Sequence, residues 1–122
     1  MSRFVIRAVH SGIKFDLKAA NGQTIATSEV YTTAAACRRG IGSVRKNAAI
    51  ANVEDQTAEH FAVLLNPKFE LYQDKGGEFR FRLRSRNGKI IAVSEGYATR
   101  TGCRSGIESV QENAPKAEIM EE

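Results

Sequence analysis

Two cysteines, two prolines and no tryptophan stand in a chain of 122 residues, so little of its stability can come from covalent staples. Two thiols are too few for a disulfide framework, and without close His or further Cys partners they do not build a structural zinc site. No apolar run approaches the ~18 residues that span a bilayer, and the opening Met1-Ser-Arg-Phe-Val-Ile-Arg-Ala lacks a secretory signal's long apolar segment. A cytoplasmic protein with no membrane contact is therefore expected. Missing as well are G-x-x-x-x-G-K-[ST], G-x-G-x-x-G, G-x-S-x-G and H-E-x-x-H, which removes the common phosphate-loop, dinucleotide, hydrolase and zinc-protease signatures. At 42% hydrophobic and 26% charged residues, what remains is an ordinary globular composition, neither disordered nor collagen-like.

Charge is present in modest surplus, 18 Lys and Arg against 14 Asp and Glu. The surplus is uneven: residues 1–48 hold eight basic and two acidic side chains, whereas 69–114 hold eight and six. Such a balance favours weak attraction to polyanions, but no contiguous Lys/Arg block of a nucleic-acid arm accompanies it.

The richest feature is internal repetition. Residues 16–48 laid over 82–114, an offset of 66 without gaps, are identical at 17 of 33 positions. The shared set includes Asn21-Gly22 and Asn87-Gly88, Ser28-Glu29-x-Tyr31 and Ser94-Glu95-x-Tyr97, and Cys37 to Ala48 against Cys103 to Ala114 at most positions. Both copies must share one fold.

Each copy reads the same way. Ile13-Lys-Phe-Asp-Leu-Lys and Phe79-Arg-Phe-Arg-Leu-Arg alternate apolar and polar side chains, the pattern of a half-buried strand. Asn-Gly then predicts a type I′ turn back onto Thr24-Ile-Ala-Thr and Ile90-Ile-Ala-Val. Arg3 to Val9 and Phe69 to Tyr72 supply an earlier strand in each copy. Cys37, Ile41, Val44 and Ala48, with Cys103, Ile107, Val110 and Ala114, lie on one stripe of a helix over about 34–46 and 100–112. Thr33 and Thr99 are the expected N-caps, and Asn47 and Asn113 suit a left-handed helix end. Gly40 and Gly106 imply close helix–sheet approach, and Ala51-Asn-Val-Glu and Ala117-Glu-Ile-Met add a short last strand. The expected organisation is one domain over 1–122, with repeats at 3–55 and 69–121. The segment 56–68 is expected to dock through its Phe61-Ala-Val-Leu-Leu.

The combined pattern Phe-Arg-Phe-Arg-Leu, Asn-Gly, Ile-Ala-x-Ser-Glu-x-Tyr, Cys-x-x-Gly-Ile-x-Ser-Val and Asn-Ala-(Pro) resembles the YegP family of uncharacterised bacterial proteins, across nearly the whole chain. The resemblance implies an α+β fold of tandem β(3)-α-β repeats. Both copies would contribute to a single antiparallel sheet, exchanging their C-terminal strands, with two helices packed on one face. It implies no activity. Ala48-Ala49 replaces the Ala-Pro of the second copy, and Asp16 stands where Arg82 stands. These departures count against a function that needs two equivalent surfaces.

Arg80, Arg82, Arg84 and Arg86 form a ladder on the second copy's central strand, able to hold phosphates or carboxylates by bidentate hydrogen bonds. The alternative is a solvated face paired with carboxylates such as Glu70. Ser-Glu-x-Tyr recurs at the strand-to-helix junction, where Glu29 and Glu95 are expected to be satisfied by first-turn amides and Tyr31 and Tyr97 to anchor the core. Cys37 and Cys103 read as buried apolar groups, and His10 and His60 as surface or turn residues, so no metal site and no cofactor is expected. The repeated residues are thus absorbed by turns, caps and packing. That favours a non-enzymatic binding or interaction module, existing as a monomer or weak homodimer, with an anion or nucleic-acid binder on the basic sheet face as the alternative.

Overall fold

In the computed structural model, which describes residues 1–122, the chain forms eight strands and two helices. The first half runs β1 (Arg3–Val9), β2 (Gly12–Lys18), β3 (Thr24–Thr27), α1 (Ala34–Ala48) and β4 (Asn52–Asp55). The second half runs β5 (Lys68–Gln73), β6 (Phe79–Arg84), β7 (Ile90–Val93), α2 (Arg100–Asn113) and β8 (Glu118–Glu121).

All eight strands belong to one sheet ordered β4-β5-β6-β7-β3-β2-β1-β8. The last strand of each half therefore borders the other half: β4 lies beside β5, and β8 beside β1. These two border pairs are parallel, so the sheet is mixed rather than wholly antiparallel. The remaining pairs are joined by hairpins or meet antiparallel at the centre, whereas a strand delivered by a helix is free of that constraint. At the centre the halves meet through the Thr27–Val93 pair of β3 and β7.

Alternation along the strands sends Phe4, Ile6, Phe15 and Leu17, and in the second half Phe69, Leu71, Phe81 and Leu83, into one interior. The apolar stripes of both helices enter the same cluster of 21 buried residues. The packing repeats faithfully: Phe4 meets Phe15 edge-on at 5.7 Å between centroids, and Phe69 meets Phe81 at 5.8 Å. Sharing one core brings two units of about 50 residues to a size at which a single domain folds readily.

Local structure follows the sequence with three corrections. Thr33 and Thr99 cap the helices, their hydroxyls accepting from Ala36 and Gly102 amides at 3.0 Å each. The Asn-Gly turns are not type I′, because only Gly22 and Gly88 carry positive φ, 86° and 85°. Gly22 N donates to Ala19 O and Ala19 N to Gln23 O, giving a three-residue loop with glycine in the left-handed position. Asn21 stays at negative φ while its Oδ1 accepts from Gln23 N. Asn47 and Asn113 are not left-handed either; each turns its amide back to the Ser43 or Ser109 carbonyl at 2.8 Å. The third correction concerns residues 56–67: Val63 and Leu65 are 78% and 83% exposed. Polar contacts hold this segment instead, with Leu64 N donating to Glu54 Oε1 and Asn52 Nδ2 to Leu65 O.

Candidate anion-binding site

On β6, Arg80, Arg82 and Arg84 alternate with Phe81 and Leu83, so their guanidinium groups lie on the helix-free face. Each is already engaged. Glu70, opposite Arg82 on β5, accepts from Arg82 Nε at 2.5 Å and Arg84 Nε at 2.7 Å. Arg80 Nε donates to Asp74 at 2.7 Å, with Glu78 at 3.8 Å, and Arg82 lies 4.5 Å over the Tyr72 ring. Burial works to raise the Glu70 carboxyl, but hydrogen bonds and charge from Arg82 and Arg84 outweigh it and hold the group below its usual range. Behind it the buried Lys68 Nζ lies 2.8 Å from Glu54 and 3.5 Å from Glu70. This end of the face is a compensated charge network.

Arg86 stands apart, past the end of β6 in the β6–β7 hairpin, and is exposed. Its backbone N–H donates to Asn47 Oδ1 at 3.2 Å, tying the hairpin of one half to the helix of the other. That contact sets the wall of a groove of about 640 Å³ between α1 and the hairpin. Arg39 and Lys46 from α1 and Arg86 from the hairpin supply its charge, over Ser43, Asn47 and Ser85. No hydrophobic residue and no carboxylate lines it. None of the ion pairs in the structure involves Arg39, Lys46 or Arg86. Arg39 and Lys46 escape a reading based on repetition, because neither is repeated: the offset of 66 turns them into Ser105 and Glu112. Comparing the positions that differ, rather than those that agree, is the signal that finds them.

The Ser-Glu-x-Tyr junctions are structural. Ser28 Oγ accepts from Phe15 N at 3.0 Å and donates to Glu29 O at 2.7 Å; Ser94 repeats both contacts with Phe81 and Glu95. Tyr31 stacks on Phe15 and Tyr97 on Phe81, each at 6.3 Å between centroids. The Glu29 carboxylate does not take first-turn amides; it lies 3.5 Å from Lys89 of the other half. Both cysteines are buried and unbridged, and burial pushes the Cys103 thiol up to about 11. No three His, Cys, Asp or Glu side chains gather as a metal-binding group.

Fold and groove together define a class: a duplicated α+β half-domain closed into one sheet by strand exchange, with its concave charge at the junction of the halves. The chain belongs to the family described as "Domain of unknown function (DUF1508)", whose model matches residues 12–55 and 74–121. It is 36% identical over 114 residues to "UPF0339 protein YegP" of Escherichia coli O157:H7, spanning 91% of this chain and 87% of that one. It is 64% identical over 53 residues to a UPF0339 protein of Methanosarcina acetivorans, 43% of this chain but 91% of the relative, so there one repeat is nearly the whole protein. Among solved structures, yegP of E. coli superposes with TM-score 0.77 at 31% identity, covering 98% of this chain and 91% of that one. UPF0339 protein SO3888 of Shewanella oneidensis gives 0.80 at 28%, covering 98% and 90%. No helix is long and apolar enough to cross a membrane.

Proposed function

We propose that this protein is a non-enzymatic binding module whose ligand is anionic. The observation that supports this is the groove in which Arg39, Lys46 and Arg86 converge with no carboxylate among the lining residues. Cations placed so are open to an incoming anion, and charge-assisted hydrogen bonds from them are the stronger kind. Six polar side chains repeated between the halves are occupied elsewhere: Ser28 and Ser94 on strand amides, Thr33 and Thr99 on helix ends, Asn47 and Asn113 on helix carbonyls. Held in this way, they do not act as acid, base or nucleophile. Of the four arginines on and beyond β6, Arg86 is assigned to the ligand. An anion approaching Arg80, Arg82 or Arg84 would compete with Asp74 or Glu70.

Titration calorimetry of the protein with inorganic tripolyphosphate, a heparin oligosaccharide and an oligonucleotide, each at low and high salt, tests the reading. Binding to at least one that weakens linearly with the logarithm of salt concentration is expected. Absence of binding to all three at low salt overturns it.

A further inference from the structure

The two halves repeat the scaffold of this groove but not its charges. The offset that superimposes the repeats carries Arg39, Gly42, Lys46 and Arg86 onto Ser105, Glu108, Glu112 and Ala20. Ala20 and Asn113, the counterparts of Arg86 and Asn47, line a second concavity of about 360 Å³ beside Lys116. One groove thus holds three cations and no acid. At the corresponding positions the other half has Ala and Ser in place of two of them, Glu in place of the third, and a further Glu where the first has Gly42, while its own concavity is lined by Met1, Ser2, Ala20, Asn113 and Lys116.

The contrast is sharper because the scaffold is retained around it. Ser43 and Asn47 match Ser109 and Asn113, and in both helices the Asn amide turns back to the Ser carbonyl and hydroxyl at 2.8 and 3.1 Å. Side chains that hold the shape agree, and those that set the field differ. A basic residue in the last turn of a helix also complements the macrodipole, as Arg45 and Lys46 do in α1, while α2 has none there. In α1 these cations therefore outweigh the negative helix end beside the groove, whereas in α2 Glu112 adds to it.

We infer that the α1 groove is a single binding site for a small molecule bearing two or more phosphoryl groups, with no equivalent in the other half. This rests on the anion-binding reading above and names its ligand class. Three separated cations suit more than one anionic group. The absence of any apolar or aromatic lining leaves no platform for a nucleobase, so a stacked single strand is disfavoured. The volume falls within the range of small-molecule sites. Ser43 at the floor adds a hydroxyl that can turn toward a phosphoryl oxygen, while the Asn47 amide and the Ser85 hydroxyl are held by Ser43, Arg86 N and Asn87.

The duplication supplies its own control, since each half shows which residues the other's scaffold accepts. The variant R39S/K46E/R86A gives the three cationic positions of the α1 groove the residues that the other half carries there. Tripolyphosphate is the probe, measured by calorimetry, with orthophosphate and an oligonucleotide as further arms. Wild type should bind tripolyphosphate at one site per chain and orthophosphate at least about tenfold more weakly. R39S/K46E/R86A should lose at least about tenfold in affinity, the scale of a lost charge-assisted hydrogen bond. Unchanged urea midpoints confirm folding, and K46Q/R86Q, altering two exposed side chains only, replaces the triple variant if that one unfolds. Wild-type affinity in the groove variants, with R80Q/R82Q/R84Q losing it instead, places the site on the sheet face. That outcome overturns this inference and leaves the anion-binding reading standing. Tighter binding of the oligonucleotide than of tripolyphosphate overturns the ligand class, and binding of no anion overturns both readings together.

Discussion

The phenol of Tyr97 fills the notch that Gly106 leaves in α2, and Tyr31 does the same at Gly40 in α1. A Cβ added at Gly106 would stand 2.7 Å from Tyr97 Cζ and 3.1 Å from Phe81 Cε2; at Gly40 the same atoms of Tyr31 and Phe15 would be at 2.7 and 3.2 Å. Helix propensity alone would make Gly→Ala stabilising by about 1 kcal/mol in each helix. Overpacking against a ring that is itself stacked dominates, so Gly40→Ala and Gly106→Ala are each expected to destabilise by about 1–3 kcal/mol. Urea unfolding of the two variants checks this, and a raised midpoint for either would refute the packing account.

Asn47 and Asn113 offer a second comparison within one molecule. Both turn their amides back into their helices, but Asn47 Oδ1 also accepts the Arg86 N–H across the junction of the halves. Asn47→Ala should therefore cost about 1 kcal/mol more than Asn113→Ala, the worth of one further hydrogen bond. Equal losses in the two variants would remove Asn47 as the tether of the groove.

Glu70 is 5% exposed and carries two arginines and a lysine. Glu70→Gln removes the charge that Arg82 and Arg84 share, leaving Lys68 on Glu54, and should cost about 2–3 kcal/mol, below the figure for a fully buried pair because Arg82 and Arg84 keep 27% and 29% of their side-chain surface in water. Chemical denaturation gives the number, and a neutral outcome would mean that solvent screens this network as it does an ordinary surface pair.

Acid should unfold the protein through carboxylates held ionised by the fold. Burial works to raise Asp55, but hydrogen bonds from Thr57 and Arg100 prevail and hold it at about 2, below its ordinary 3.8. Asp16, Glu54 and Glu70 are lowered too, burial being outweighed by Arg7 and Thr27, by Lys68 and Gln56, and by Arg82 and Arg84. A lowered folded-state value means that the unfolded chain takes up protons first. The stabilisation is complete above the ordinary values of 3.8 and 4.5 and is lost as pH falls from there toward about 2. Urea midpoints flat above pH 5 and falling steeply below it are expected; a midpoint that holds level to pH 3 would contradict the network.

Cys103 and Cys37, both raised by burial in the core, should resist a thiol reagent at neutral pH in the native protein and react fully in urea. Rapid native labelling of either would show that the helices open far more readily than their packing suggests.

The repeat, its strands, caps and helices are legible in the sequence because they rest on local rules: alternation at Phe79 to Leu83, a Thr at each helix start, a four-three spacing of apolar residues from Cys37 onward. Asn21 and Asn113 show where such rules stop. An Asn can serve a turn or a helix end by its backbone dihedral or by its side chain, and here the side chain does it, leaving φ negative. The mixed sheet is invisible locally, since the direction in which β4 and β8 arrive is set by where the helices send them. Phe61 to Leu65 reads as docking material by hydropathy, yet the carboxylate of Glu54 and the amide of Asn52 hold that stretch by its backbone. Of the groove, Arg86 is legible as part of a ladder, but Arg39 and Lys46 become its neighbours only when α1 crosses to the opposite hairpin.

Because β4 completes the second half's border and β8 the first's, severing the polypeptide within the exposed stretch around Val63 would not release two independent pieces. Each fragment would still be zipped into its neighbour by a parallel border strand and a common interior. The nicked protein should run as one species on a sizing column and come apart only when denatured.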